Sequence, residues 1–348
     1  MKFFKIIFFN LTIFLTFVLF FELFFGYWFD KDNLGPYMRE HRMKNQRIEY
    51  EFDGVKEVYF YRRNYHGFRG EDIEPSEIKA IIMGSSNIEQ RYEPDRYTIT
   101  GFLNSNLKQD NMDLKIINAG VEAMSTRGMI LGFKNWLFKL KDFSPKIILL
   151  YVGITDYGMN DEVPLDKHIQ EGHLLNPSLI EQIKDNIKSR SIILDSIRVF
   201  KFKYLPRKGF VKYDGNQDPQ LKENFNYIDY DAAKNKYDLV KLRSTYNKKI
   251  KNYLLRIDKL HELALKLNSK PIFITNISSG GYVKAGFILN TSLIDHCKEK
   301  NYQCIDLAKK LDSNLSYWKD GTHTSNIGSR AIADLIYPDL KKILLKLN

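Results

Sequence analysis

The sequence predicts an α/β domain on a central parallel sheet of about five strands, preceded by an N-terminal transmembrane helix and a β-hairpin. Three observations predict it. Short, near-continuously apolar runs alternate with helical stretches from residue 78 onward, an almost uncharged apolar run opens the chain, and Asp53-Gly54 separates two alternating segments. Strands that are apolar at nearly every position need cover on both faces, which is how a parallel sheet with helical crossovers is built. The 348 residues suffice for one large domain or two small ones plus a tail.

Composition excludes several classes. With 44% hydrophobic and 27% charged residues the chain is neither disordered nor collagenous, and no period of 20–50 residues repeats as in a solenoid. A mean hydropathy of −0.37 excludes a polytopic membrane protein. Two cysteines exclude a disulfide scaffold, a Cys-rich zinc module and an iron–sulfur site. His168, His173, His261 and His296 lack metal-ligand spacing, so neither metal nor cofactor is expected. The net charge of +11 comes from scattered lysines without an arginine-rich arm or a base-stacking motif. It therefore suits an anionic membrane surface or glycan, and no nucleic-acid partner is expected.

Residues 1–29 are read as the anchor. From Ile6 to Phe21 there is no charge, Glu22 interrupts, and Leu23–Phe29 resumes the run. About 27 helical residues give roughly 40 Å, enough to span a bilayer core and both interfaces. Tyr27 and Trp28 stand where an interfacial aromatic belt belongs, and no small-x-small cleavage site follows. Lys2 and Lys5 argue that the start is cytoplasmic, whereas Lys31, Arg39, Arg42, Lys44 and Arg47 argue the reverse. Long domains translocate regardless of such charges, so an extracytoplasmic (periplasmic) body on a single-pass anchor is expected.

A basic juxtamembrane linker (30–47) leads to the domain at 48–348. Ile48–Tyr61 alternates about Asp53-Gly54 and predicts a two-residue hairpin. The expected strands are Ile78–Met83, Leu114–Asn118, Ile147–Tyr151, Pro271–Thr275 and Gln303–Asp306. The expected helices are Arg127–Leu140, Ser244–Leu267, Thr291–Lys300 and Asn326–Leu347. Residues 157–243 are basic, aromatic and broken by Pro164, Pro177, Pro206 and Pro219. They are expected to be an insertion over the top of the sheet, where a lid or cleft would sit. Cys297 and Cys304, on a predicted helix and strand, are expected to be free buried thiols.

Chemistry in such a sheet belongs at the carboxyl ends of the strands. There stand Gly84-Ser85-Ser86, Asn118-Ala119-Gly120, Gly153-Ile154-Thr155-Asp156 and, before the last helix, Asp320-Gly321-Thr322-His323. A serine hydroxyl needs an adjacent base to act as nucleophile. His323 can be that base, with Asp320 holding its other ring nitrogen. Taken singly, Ser86 is a helix cap, His323 a surface histidine and Gly153 a turn residue; their joint placement at strand ends is the signal.

These residues resemble the SGNH, or GDSL-type, hydrolase family over about residues 60–348. Gly84-Ser85-Ser86 matches its serine block, Gly120 its oxyanion glycine, Gly153–Asp156 its Gly-x-Asn-Asp block, and Asp320 with His323 its Asp-x-x-His turn. Asn64-Tyr-His-Gly67-Phe68-Arg69 matches an Asn-x-x-Gly-Phe-Arg segment of membrane-anchored members. The resemblance implies a three-layer flavodoxin-like domain with Ser86, His323 and Asp320 catalytic. It also implies an oxyanion hole from the Ser86 and Gly120 amides, assisted by Thr155, and structural roles for Gly153 and Asp156. Two positions depart from it: Ser85 replaces an aspartate, and Thr155 replaces the asparagine whose amide donates to the oxyanion. A threonine hydroxyl is shorter and donates only one hydrogen bond.

The expected reaction is acyl transfer through a serine ester. An anchored, aromatic-rich domain similar to surface-polysaccharide-modifying members implies a membrane-anchored esterase or deacetylase of acylated, chiefly O-acetylated, envelope carbohydrate. Two alternatives stand beside it. One is an O-acyltransferase fed by a membrane-embedded acyl-donor protein, and the other is a glycan-binding scaffold on a weakened hydrolase fold.

Overall fold

The computed structural model describes residues 2–26, 28–29, 44–52, 54–157, 178–204 and 210–346. Helix α1 (Lys2–Phe25) buries no residue, and among the described residues it is the one helix long and apolar enough to cross a membrane. Strands β1 (Lys44–Phe52) and β2 (Val55–Arg63) form the expected hairpin, with Phe52 opposite Val55. Gly54 supplies the positive φ, 73°, that a two-residue turn demands; Asp53 lies outside the described residues. Next come β3 (Ala80–Met83), α2 (Ser86–Glu89), α3 (Ile99–Gln109), β4 (Ile116–Asn118), α4 (Thr126–Asn135) and β5 (Ile147–Val152). Helices α5 (Leu179–Arg190) and α6 (Ile192–Tyr204) precede β6 (Phe210–Asp214), α7 (Pro219–Asn224), α8 (Tyr230–Lys236), α9 (Leu239–Thr245) and α10 (Asn247–Lys266). The chain closes with β7 (Lys270–Thr275), α11 (Lys284–Lys300), β8 (Gln303–Ile305), α12 (Leu307–Lys310) and α13 (Asn326–Leu345).

The central sheet is parallel throughout, in the order β4-β3-β5-β7-β8. Counted along the chain this is the 2-1-3-4-5 order of flavodoxin-like folds, whose crevice opens at the carboxyl ends of the first and third strands, here β3 and β5. All six residues of β5 are buried, because alternate side chains enter different cores. Ile148, Leu150 and Val152 pack with Phe133 of α4, Ile257 of α10 and Leu293 of α11. Ile147, Leu149 and Tyr151 pack with Leu103 of α3 and Ile336 of α13. Three layers result.

A smaller sheet, β2-β1-β6, adjoins this core; β6 adds parallel to β1, with Tyr50 opposite Tyr213. Residues 158–177 and 205–209 of the expected insertion, with Pro164, Pro177 and Pro206, lie outside the described residues.

Several boundaries differ from expectation. Helix α3 was not anticipated, since Gly101, Asn104, Ser105 and Asn106 are poor helix formers. It is fixed by the Thr98 cap on Gly101 N–H and by buried Ile99, Leu103 and Leu107. The expected Arg127–Leu140 helix ends at Asn135, and Leu137–Lys139 is a separate 3-10 turn. A break at Tyr246 separates α9 from α10, and α11 begins seven residues earlier than expected.

The expectation of free thiols is overturned: Cys297 and Cys304 form a disulfide, with Cα atoms 6.3 Å apart. Asn301 takes a left-handed conformation (φ 56°) that ends α11. The chain doubles back, Tyr302 N–H donating to Cys297 O at 2.9 Å, and β8 runs beside the helix end. Closing so short a loop is worth about 2–3 kcal/mol. Replacing both cysteines by serine is expected to lower the thermal midpoint by about 5 °C, and reduction of the native chain should reproduce the drop; an unchanged midpoint in both would refute this.

Candidate active site

Met83 ends β3, and the chain turns through Gly84 and Ser85 so that Ser86 opens α2, with Ser85 as its extended N-cap. The Ser86 N–H has no acceptor within the helix. On the far side of the crevice, Asp320–His323 forms a tight turn closed by Lys319 N–H donating to His323 O at 2.9 Å. Asp320 Oδ1 accepts the backbone N–H groups of Thr322 and His323, both at 2.8 Å. Asp320 Oδ2 lies 2.8 Å from His323 Nδ1, and His323 Nε2 lies 2.9 Å from Ser86 Oγ. With the ring proton on Nδ1 facing the carboxylate, Nε2 is left to accept the serine proton. Burial alone would raise the Asp320 carboxyl; the hydrogen bonds from His323 and Thr322 outweigh it and hold the group well below the usual carboxylate range.

Beneath Ser86 lies a buried ionic cluster. Glu89 Oε1 accepts from Tyr61 Oη (2.6 Å), Arg63 Nη2 (2.9 Å) and Arg91 Nη2 (3.1 Å), and Arg63 and Tyr61 are wholly buried. Arg63 also donates to Gly67 O and Gly120 O. Arg69 donates to the carbonyls of Glu89, Gln90 and Glu93 and pairs with Asp95. The Asn64–Arg69 segment therefore has a physical task. Asn64 Oδ1 accepts Phe68 N–H at 2.9 Å, Phe68 packs on Trp136, and Arg69 holds the loop that follows the serine.

The other expected residues are placed as follows. Gly120 packs behind α2, where an added Cβ would stand 2.3 Å from Glu89 N, so only glycine permits the approach. Its N–H donates to Asn118 Oδ1 at 2.9 Å, so the amide expected to be free for an oxyanion is already engaged. Gly153 has φ +123°, a conformation that glycine tolerates. Thr155 is half-buried on the 3-10 turn Ile154–Asp156. Asp156 is buried, accepts Thr126 Oγ1 at 2.7 Å and faces Arg256 at 3.5 Å, so it ties β5 to α4 and α10.

Ser86 and His323 open on a cleft of about 270 Å³ walled by Asn87, Arg91, Tyr92, Glu122, Tyr213 and Lys319; neither Gly120 nor Thr155 lines it. Sequence reasoning passed over these wall residues. Tyr92 and Tyr213 stack at 4.7 Å, and Lys319 Nζ lies 4.8 Å from the Tyr213 ring centroid and contacts the Glu93 carboxylate. Burial pulls the Lys319 ammonium down to about 7, against the opposing influence of Asp320. The Asn87 amide oxygen is buried without a partner among the described residues. Of these wall residues, only Asn87 and Lys319 directly adjoin motif residues in the sequence.

No protein-family model matches the chain, and no curated protein does. Among solved structures it is similar to the psychrotrophic esterase EstA from Pseudoalteromonas sp., with 11% identity over 76% of this chain and 98% of that one, at a TM-score of 0.43. It is also similar to a member of the lipolytic protein G-D-S-L family from Veillonella parvula DSM 2008 (12%, 75% and 97%, TM-score 0.42) and to the acetyl xylan esterase AlAXEase (15%, 74% and 98%, TM-score 0.40). Likeness at this level assigns neither activity nor substrate.

Two outcomes follow from the geometry. Glu89→Gln leaves Arg63 buried without its counter-charge and is expected to cost about 3–5 kcal/mol in urea unfolding; a loss below about 1 kcal/mol would contradict the cluster's role. Because the folded Asp320 carboxyl titrates below its unfolded value, it stabilises the fold above about pH 4 and loses that contribution as pH falls further. Asp320→Asn should thus unfold at a lower temperature than the native chain at neutral pH, with the gap closing in acid; a gap independent of pH would exclude this.

Proposed function

We propose that this chain is a membrane-anchored serine esterase that removes acyl groups, chiefly O-acetyl, from cell-envelope carbohydrate. The observation that carries the reading is the hydrogen-bonded series Asp320–His323–Ser86, with links of 2.8 and 2.9 Å. His323 takes the serine proton as Ser86 Oγ attacks the ester carbonyl, and Asp320 fixes the ring tautomer and stabilises the imidazolium. The alkoxide leaves with that proton, and water, deprotonated by His323, then hydrolyses the acyl-serine. The Ser86 N–H is the first donor to the tetrahedral oxygen; the Gly120 N–H joins only by giving up or sharing its bond to Asn118, with the Thr155 hydroxyl in reserve. One missing donor costs about 10²–10³ in rate, so slow turnover is expected.

A hydroxyl-rich substrate suits a cleft walled by Arg91, Glu122, Tyr92 and Tyr213. The apolar α1 supports the anchor. The Cys297–Cys304 bond supports an extracytoplasmic body, because disulfides persist in oxidising compartments.

The test is fluorophosphonate labelling of the full chain beside Ser86→Ala and His323→Ala. Labelling lost in both, with thermal midpoints within a few degrees of the native chain, is the expected result; labelling retained in Ser86→Ala refutes the assignment. Acetylated sugars then test the substrate. Thr155→Asn should raise kcat about 10-fold or more if position 155 faces the oxyanion, and an unchanged kcat would remove Thr155 from the hole.

A further inference from the structure

Glu22 is the one acidic residue of α1, and a carboxylate in an otherwise apolar spanning helix is costly unless partnered. Its partners come from far along the chain. Glu22 accepts the Ser191 hydroxyl, the backbone N–H groups of Ile192 and Ile193, each at 3.2 Å, and the Trp28 indole N–H at 3.0 Å. The carboxylate thus occupies the first N–H groups of α6, which a helix leaves without internal acceptors. Arg190, the last residue of α5, donates to Trp28 O at 3.5 Å. The corner between α5 and α6 is therefore pinned to the end of α1, beside the tryptophan expected at the membrane–water boundary.

From that corner both helices carry an apolar stripe that the body leaves open. On α5, Leu179, Ile183 and Ile187 follow one another at four-residue spacing with Ile180 beside them, and all four are exposed. On α6, Ile197, Phe200 and Tyr204 recur at three- and four-residue spacing and are likewise exposed, Phe200 at 54% and Tyr204 at 67%. Exposed Lys184, Lys188 and Lys201 lie beside these stripes. Apolar residues on one helical face with lysines alongside are the pattern of helices that lie in a bilayer interface.

We propose that α5 and α6 form a second membrane element, lying in the interfacial plane with their apolar stripes among the acyl chains and their lysines at anionic headgroups. The proposal rests on reading α1 as a bilayer anchor. The bilayer is the occupant because the stripe begins where the anchor ends, joined to it by the Glu22 hydrogen bonds. Six residues beyond Tyr204 the chain enters β6, whose Tyr213 walls the catalytic cleft.

The test uses the full chain in phosphatidylcholine–phosphatidylglycerol vesicles, with single cysteines introduced as Phe14→Cys, Ile183→Cys, Phe200→Cys or Lys184→Cys. The native cysteines are bonded to each other and do not compete for label. Each site carries an environment-sensitive fluorophore, and quenching is read with lipids bearing a nitroxide high on the acyl chain, just below the headgroup, or near the chain end. Position 14 should be quenched chiefly by the deep nitroxide. Positions 183 and 200 should be quenched chiefly by the shallow one, at least about twofold more than position 184. Positions 183 and 200 no more quenched than 184, with 14 still deep, would overturn the proposal and leave the anchor standing; a dry, uncharged environment at 183 and 200 without quenching would assign the stripe to a protein partner instead. Absence of quenching at 14 would overturn the anchor and the proposal with it.

Discussion

The carboxylate of Glu89 holds together side chains from segments far apart in the chain. Tyr61 and Arg63 reach it from the hairpin, Arg91 from the loop after α2, and through Arg63 it is tied to the carbonyls of Gly67 and Gly120. A buried charge in this position must be matched by charge and filled with hydrogen bonds, because desolvation would otherwise expel it. The match fixes the roll of the four-residue helix that begins with Ser86. A helix this short has almost no stability of its own. The placement of Ser86 opposite His323 is thus a consequence of ion pairing behind the sheet edge rather than of local helix propensity.

Much of the sheet was legible in the sequence because its central strands are buried on both faces and therefore apolar at nearly every position, a signal unaffected by register. The hairpin was legible because Gly54 answers a specific backbone demand. The Asp-x-x-His turn was legible as a unit, since Asp320 satisfies the N–H groups of its own turn within three residues. What failed was whatever tertiary packing or a single unsignalled backbone turn decides. Helix α3 is poor in intrinsic propensity and exists through packing on β3 and α13. The Cys297–Cys304 bond depends on one left-handed residue, Asn301, which composition does not announce. Tyr213 enters the cleft only because β6 finds β1, and a five-residue run such as Phe210–Asp214 carries no indication of its partner strand.

Gly120 shows how a motif can be matched while its atoms are otherwise employed. Gly120 stands where the serine-hydrolase pattern would have it, and its missing side chain does matter, but the space is taken by the backbone of α2 and the N–H by Asn118. The glycine is a packing requirement first. A sequence pattern reports that a side chain is forbidden and is silent on which neighbour forbids it.

Ser86 and His323 are 237 positions apart, Gln90 and Ser329 are 239 apart, and β1 must wait for β6 before the small sheet is complete. The site is therefore assembled from contacts of very high sequence separation, the kind that form late and slowly in folding. For a chain that is synthesised from its amino terminus, the serine and its supporting ionic cluster exist long before the histidine that would activate it. On the proposed mechanism, activation of the serine waits until His323 and the helix that follows it have emerged and docked. On that mechanism a nascent or truncated chain carries an inert hydroxyl, and reactivity would mark completion of the fold.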